Sequence, residues 1–150
     1  MKSGNTMFQF KEGRFSTDEC SFLLPDGFYL EEGNGNEDSM MAKTSDKMAT
    51  VIWQISDDEG EIENQLEIFL CSDSELSPLS EVLPLKVNNL SGHQIFLKDG
   101  KIEIFEAKFP LENNKALTFI VETRGQNIRE LISSPEIRMA LNGLCAIHNI

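Results

Sequence analysis

Residues 93–109 leave the chain few ways to fold. Two apolar-rich runs flank Lys98-Asp99-Gly100-Lys101, and Asp-Gly is a favoured two-residue type I′ turn because both central positions take positive φ. A tip at Asp99-Gly100 sets Leu97 opposite Ile102, Ile95 opposite Ile104 and Phe96 opposite Glu103, so two of the three pairs are apolar across the strands. Beyond Ile104 the apolar parity changes to Phe105, Ala107 and Phe109. A period-2 ladder allows that only with a bulge, or with cover on both faces of the sheet. The spacing predicts one or the other near Ile104-Phe105.

The same two-residue rhythm recurs elsewhere. Residues 48–56 place Val51, Trp53 and Ile55 on one face of a strand and Thr50, Ile52 and Gln54 on the other. Residues 116–123 place Leu117, Phe119 and Val121 together, with Gly125 as the stop. Shorter extended runs are expected at 7–10 (a strand or a docking arm), 20–24, 28–30, 40–43 and 85–87. Residues 65–71 put Leu66, Ile68 and Leu70 on one face; a helix is the alternative, but Glu67 would intrude on its apolar side. Pro25-Asp26-Gly27 forces a turn, since Pro presets φ and Gly accepts a positive one. Residues 31–38 and 57–63 read as polar, acidic loops, and 72–84 as a loop with room for one helical turn before Pro84.

The period then changes to 3.6. Ile128, Leu131 and Ile132 make a short helical stripe. Ser134-Pro135-Glu136 restarts a helix, with Ser as N-cap, Pro at the first helical position and an acid at the positive end of the dipole. Ile137, Ala140, Leu141, Leu144 and Cys145 continue as one apolar face, with Gly143 inside the helix as the sign of a close crossing. Hairpins followed by a terminal helical cap predict an α+β fold: an antiparallel β-sheet with a C-terminal helix packed on one face. At 150 residues the chain is read as a single domain, 1–150, with about 1–10 as a loose N-terminal arm.

Three segments carry a resemblance. Phe22-Leu23-Leu24-Pro25-Asp26-Gly27-Phe28, the expected turn at Leu90-Ser91-Gly92 before the long hairpin, and the last strand running into a C-terminal helix together resemble Mog1/PsbP-like domains over residues 14 to 147. Phe28 stands where that group usually has Trp. The group includes small bacterial proteins, some of which are chaperones for secreted effectors, so the resemblance implies a domain that binds proteins rather than one that does chemistry. It carries no site residue across.

The formal net charge is −12, from 25 acidic and 13 basic residues. A field of that sign repels phosphate backbones and anionic membrane surfaces, which leaves nucleic acid and membrane off the list of expected partners. No run approaches ~18 uninterrupted apolar residues. Cys20, Cys71 and Cys145 are odd in number and widely spaced, which suits reduced thiols and a cytoplasmic location.

No nucleophile elbow, phosphate loop or dinucleotide fingerprint is present, and Gly33-x-Gly35 sits among carboxylates that would repel phosphate. Cys71 with His93 would make a nucleophile–base pair only on neighbouring strands. Cys145 and His148 lie about one helical turn apart, which supplies two zinc ligands where four are needed. Asp57, Asp58, Glu59, Glu61 and Glu63 are the candidate ligands for a hard cation, although they lack the EF-hand frame. No cofactor is implied. The expected function is a non-catalytic protein-interaction or chaperone-like domain whose partner is another protein or a second copy of the chain. The alternatives are a small-molecule or divalent-cation module built on the acidic loops, and an enzyme built on Cys71 or His93.

Overall fold

The computed structural model describes residues 9–11, 14–16, 20–30, 39–57, 76–111 and 114–146. Among the described residues, twelve strands fall into two antiparallel sheets. The smaller sheet holds β1 (Gln9–Lys11), β2 (Arg14–Ser16), β3 (Cys20–Leu23) and β12 (Cys145–Ala146), in the order β1-β2-β3-β12. The larger sheet runs β4 (Phe28–Leu30), β5 (Ser39–Thr44), β6 (Ala49–Asp57), β11 (Lys115–Arg124), β10 (Ile102–Pro110), β9 (Leu90–Asp99). The far edge of β9 is shared by β7 (Leu76–Pro78) and β8 (Leu83–Val87). Two short helices, α1 (Ile128–Ile132) and α2 (Pro135–Asn142), complete the described chain.

The strands form where the two-residue rhythm is strongest. Val51, Trp53 and Ile55 on β6 and Leu117, Phe119 and Val121 on β11 turn to the same face and are buried. Phe105, Ala107 and Phe109 of β10 join them at 0% exposure. A chain of rings crosses this layer. Phe22 of the smaller sheet stacks on Trp53 at 4.9 Å; Trp53 meets Phe119 at 6.1 Å, Phe119 meets Phe105 at 6.4 Å and Phe105 meets Phe96 at 5.2 Å. Such pairs add about 0.5–1.5 kcal/mol each beyond the area they bury. The same core takes in Ile128, Leu131 and Ile132 of α1 and Ile137, Ala140 and Leu141 of α2.

The hairpin register differs from the expected one. The structure pairs Asp99 with Ile102, Leu97 with Ile104 and Phe96 with Phe105, so the tip is Gly100-Lys101 and not Asp99-Gly100. Gly100 has φ 61°, while Lys101 is not among the positive-φ residues. That suits a tip with Gly at its first central position, the type II′ preference. This register joins Phe96 to Phe105, two core rings. The ladder is unbroken from Ile102 to Pro110, so the parity change at Ile104-Phe105 is met by cover on both faces. Phe105 is buried on one side, and Ile95 and Leu97, with Ile104 and Val82 packed against them, form a small cluster on the other.

Further departures have local causes. Residues 72–84 do not end in a helical turn: β7 occupies Leu76–Pro78, and Pro84 lies within β8, an edge strand where a missing N–H costs no ladder bond. The turn before β9 is at Asn88-Asn89, with Asn88 at φ 54°, so Leu90-Ser91-Gly92 already belongs to the strand. The sheet is capped by two short helices, with the break at Ser133-Ser134 that the sequence pattern placed there, and by a second sheet that the pattern did not suggest. Helix α2 stops at Asn142 with Gly143 as its C-cap, which puts Cys145 in β12 and off the helical stripe. A Cβ on Gly143 would lie 2.7 Å from Leu23 Cδ1. The close crossing is therefore real, but it is with β3 and at the helix end. Asn89 fixes β12 twice, accepting the Ala146 N–H and donating to the Ala146 carbonyl, both at 2.8 Å.

Helix α1 is capped by Asn127 Oδ1, which accepts the Arg129 and Glu130 N–H groups at 2.9 and 3.2 Å. Its first N–H, on Ile128, goes to Glu103 Oε1 of β10 at 3.0 Å, which ties the helix to the sheet. Ser134 is the N-cap residue of α2, but its hydroxyl donates back to the Leu131 carbonyl at 2.6 Å and does not cap.

Candidate protein-binding surface

The face of the larger sheet that turns away from the ring layer carries the even-numbered residues of β6, β10 and β11 and the odd-numbered ones of β4, β5 and β9. The registers Met41–Ile52, Ile52–Ile120 and Ile120–Glu106 place three half-buried apolar side chains side by side across β5, β6 and β11, ending at a carboxylate. The next row runs Tyr29, Lys43, Thr50, Glu122, Ile104. Tyr29, on the β4 edge, is 64% exposed, and Met48 in the β5–β6 turn is 44% exposed. This is a mixed surface: aromatic and thioether groups at the rim, branched aliphatics in the middle, and charges of both signs between them.

Burial shapes its charges. Glu106 lies between Ile120 and Ile95. Desolvation pushes its carboxyl above the usual range, and the Lys108 ammonium two residues along the strand pulls it part of the way back. In the β5–β6 turn the Thr44 hydroxyl donates to Asp46 Oδ1 at 2.6 Å and the Met48 N–H at 2.9 Å, and these bonds hold the Asp46 carboxyl below its usual value, with the hydroxyl contributing most. They also pin the turn that presents Lys47 and Met48.

Of the residues singled out in the sequence, Asp57, His93, Cys20 and Cys145 are described. Asp57 ends β6, is 83% exposed and pairs with Lys115 Nζ at 3.1 Å. Asp58, Glu59, Glu61 and Glu63 lie outside the described residues, as do the strand expected at 65–71, Cys71, the 31–38 loop and His148. His93 is exposed on β9, opposite Lys108 and Pro84. Cys20 is buried and Cys145 is half-buried. They sit on neighbouring strands, but Cys145 is paired with Ser21 and Cys20 with Ala146, so their side chains leave opposite faces. Among the described residues no group of three or more His, Cys, Asp or Glu is placed to hold a metal ion, and no helix is long and apolar enough to cross a membrane. Met41 and Ile120 had drawn no attention in the sequence. Ile120 stands among the even positions of residues 116–123, and Met41 within the extended run at 40–43.

Compared with solved structures, the chain superposes on a mutant form of the protein Mog1 with a TM-score of 0.56, covering 97% of both chains at 9% identity. The fold is Mog1/PsbP-like. Of the three segments that carried the resemblance, the strand–turn–strand at Phe22–Phe28 and the run of β11 into α1 are present in this chain, whereas Leu90-Ser91-Gly92 is strand and not turn. A protein from Bacteroides thetaiotaomicron VPI-5482 also matches, with a TM-score of 0.50 and 11% identity over 87% of this chain. The chain spans 46% of that protein's length. No family model matches the sequence, and neither does any curated protein.

Proposed function

We propose that this chain is a non-catalytic protein-interaction domain of chaperone-like character, which docks another protein on the outward face of its larger sheet at the β4 side. One observation carries the reading: Tyr29, 64% exposed, borders the half-buried Met41–Ile52–Ile120 row on the same face. Tyrosine and methionine are enriched at recognition surfaces. Tyrosine gives large contact area at small entropy cost, and methionine adapts to varied partners. The β4 edge supports the same reading, because among the described residues no strand lies on its far side, where an extended segment could pair. The Mog1-like fold agrees with binding and assigns no partner.

The test is capture of a partner by the tagged full chain from cells that make it, repeated with Tyr29→Asp and with Glu136→Lys, an exposed change on α2. A protein held by the native chain and by Glu136→Lys but lost from Tyr29→Asp supports the reading. Retention by all three contradicts the assigned face. Light scattering on the purified chain distinguishes a second copy as the occupant, since Tyr29→Asp would then turn a dimer into a monomer.

A further inference from the structure

The β5–β6 turn, the end of β11 and the start of β10 enclose a concavity of about 410 Å³ at one end of the outward face. Its walls hold three cations, Lys43, Lys47 and Arg124, and three apolar side chains, Met41, Met48 and Ile102. Glu122 is the one carboxylate in the lining, so the site has a local excess of positive charge in a chain whose formal net charge is −12.

That placement is built by the fold. Lys43 pairs with Thr50, and Thr50 with Glu122. Arg124 pairs with Ile102 one row further along, and its N–H donates to the Met48 carbonyl at 2.9 Å, which closes the turn against β11. Lys47 is held at φ 61° in a turn stitched by Thr44 and Asp46. The cations thus come from two separate stretches of chain, β5 with its turn and the end of β11, and meet at a fixed place. Thr123 borders the concavity through its backbone, while its buried side chain, odd-numbered on β11 and paired with Ala49, turns to the inner face.

We infer that this concavity is a binding site for a small amphipathic anion, one with a phosphate or carboxylate head held by Lys47, Arg124 and Lys43 and a short apolar tail against Met41, Met48 and Ile102. The volume lies within the range of small-ligand sites. Size and charge both favour a small molecule over an acidic polypeptide. The net negative field of the whole chain opposes a large anion, whereas a small one inside the concavity feels mainly the nearest cations, since screening limits the rest to about 8 Å. The site shares Met41 with the docking face, but its test uses the purified chain and does not depend on capture of a protein.

The experiment is amide chemical-shift titration of the full chain with inorganic phosphate, with hexyl phosphate, and with sodium chloride at matched ionic strength. Hexyl phosphate should give saturable shifts confined to residues 41–50, 102 and 122–124, binding about tenfold tighter than inorganic phosphate, the effect of burying roughly two methylenes. Arg124→Gln and Lys47→Gln, both at exposed positions, should each weaken it about tenfold, as loss of a charged hydrogen bond does. Shifts reproduced by sodium chloride, or variants that bind as the native chain does, overturn the anion site. Equal affinity for the two phosphates overturns the apolar half of the assignment.

Discussion

The two faces of the larger sheet are made by the same strands and differ in almost every physical respect. The inner face carries Trp53, Phe119, Phe105, Val51 and Leu117 at 0% exposure, with rings in contact from Phe22 to Phe96. The outer face sets Ile52 and Ile120 beside Lys43, Glu106, Lys108 and Glu122. One residue along a strand separates the two environments, so a neighbour in sequence can serve a different purpose. Close packing on the inner face carries the stability. The mixed chemistry of the outer face suits contact with something else.

The contrast can be broken by mutation. Trp53→Ala, at the centre of the ring chain, should cost about 3–5 kcal/mol in chemical denaturation, since the cavity left cannot close. If it cost no more than a surface change, the inner face would not be the core. Asn127→Ala removes the side-chain cap of α1, the helix that roofs the inner face, and should cost about 1 kcal/mol. An unchanged denaturation midpoint would mean that the Glu103 bond to Ile128 alone fixes that helix.

The smallest effect belongs to the outer face and sharpens the comparison by its pH dependence. Glu106 has a folded-state pKa raised above the ordinary 4.5 by desolvation. The folded chain therefore keeps the proton over a window in which the unfolded chain has released it. This contribution is fully present below 4.5, falls as pH rises from 4.5 through the raised folded value, and is level above that. Glu106→Gln, which has no proton to lose, should be more stable relative to the native chain at neutral pH than at about pH 4. The difference between the two denaturation midpoints, followed across that range, checks it. A difference independent of pH would show that the carboxyl is well solvated.

Much of this fold was legible in the chain. The odd-numbered apolar residues of β6 and β11 named their own buried face, and Ile128, Leu131 and Ile132 named theirs. What was misread shares a cause, because local signals were outweighed by partners distant in sequence. Pro84 reads as a breaker until β9 lies on its other side. Cys145 fits a helical stripe until Asn89 and β3 recruit it into a sheet. Asp99-Gly100 is a good tip by local preference, but the shifted tip pairs Phe96 with Phe105 and keeps both rings in the core. The smaller sheet was missed as a sheet because its strands have two to four residues each, too few to show a period. The outer-face row was legible residue by residue, yet nothing local says that Met41, Ile52 and Ile120 stand side by side; only the register does.

Two adjacent residues of β11 test the division of labour most directly. Phe119 faces the rings and is fully buried, while Ile120 faces outward and is half-buried. In parallel urea titrations Phe119→Ala should lose about 3–5 kcal/mol and Ile120→Ala about 1 kcal/mol or less. Equal losses would contradict the account, because both faces would then be core and no surface would be left for a partner.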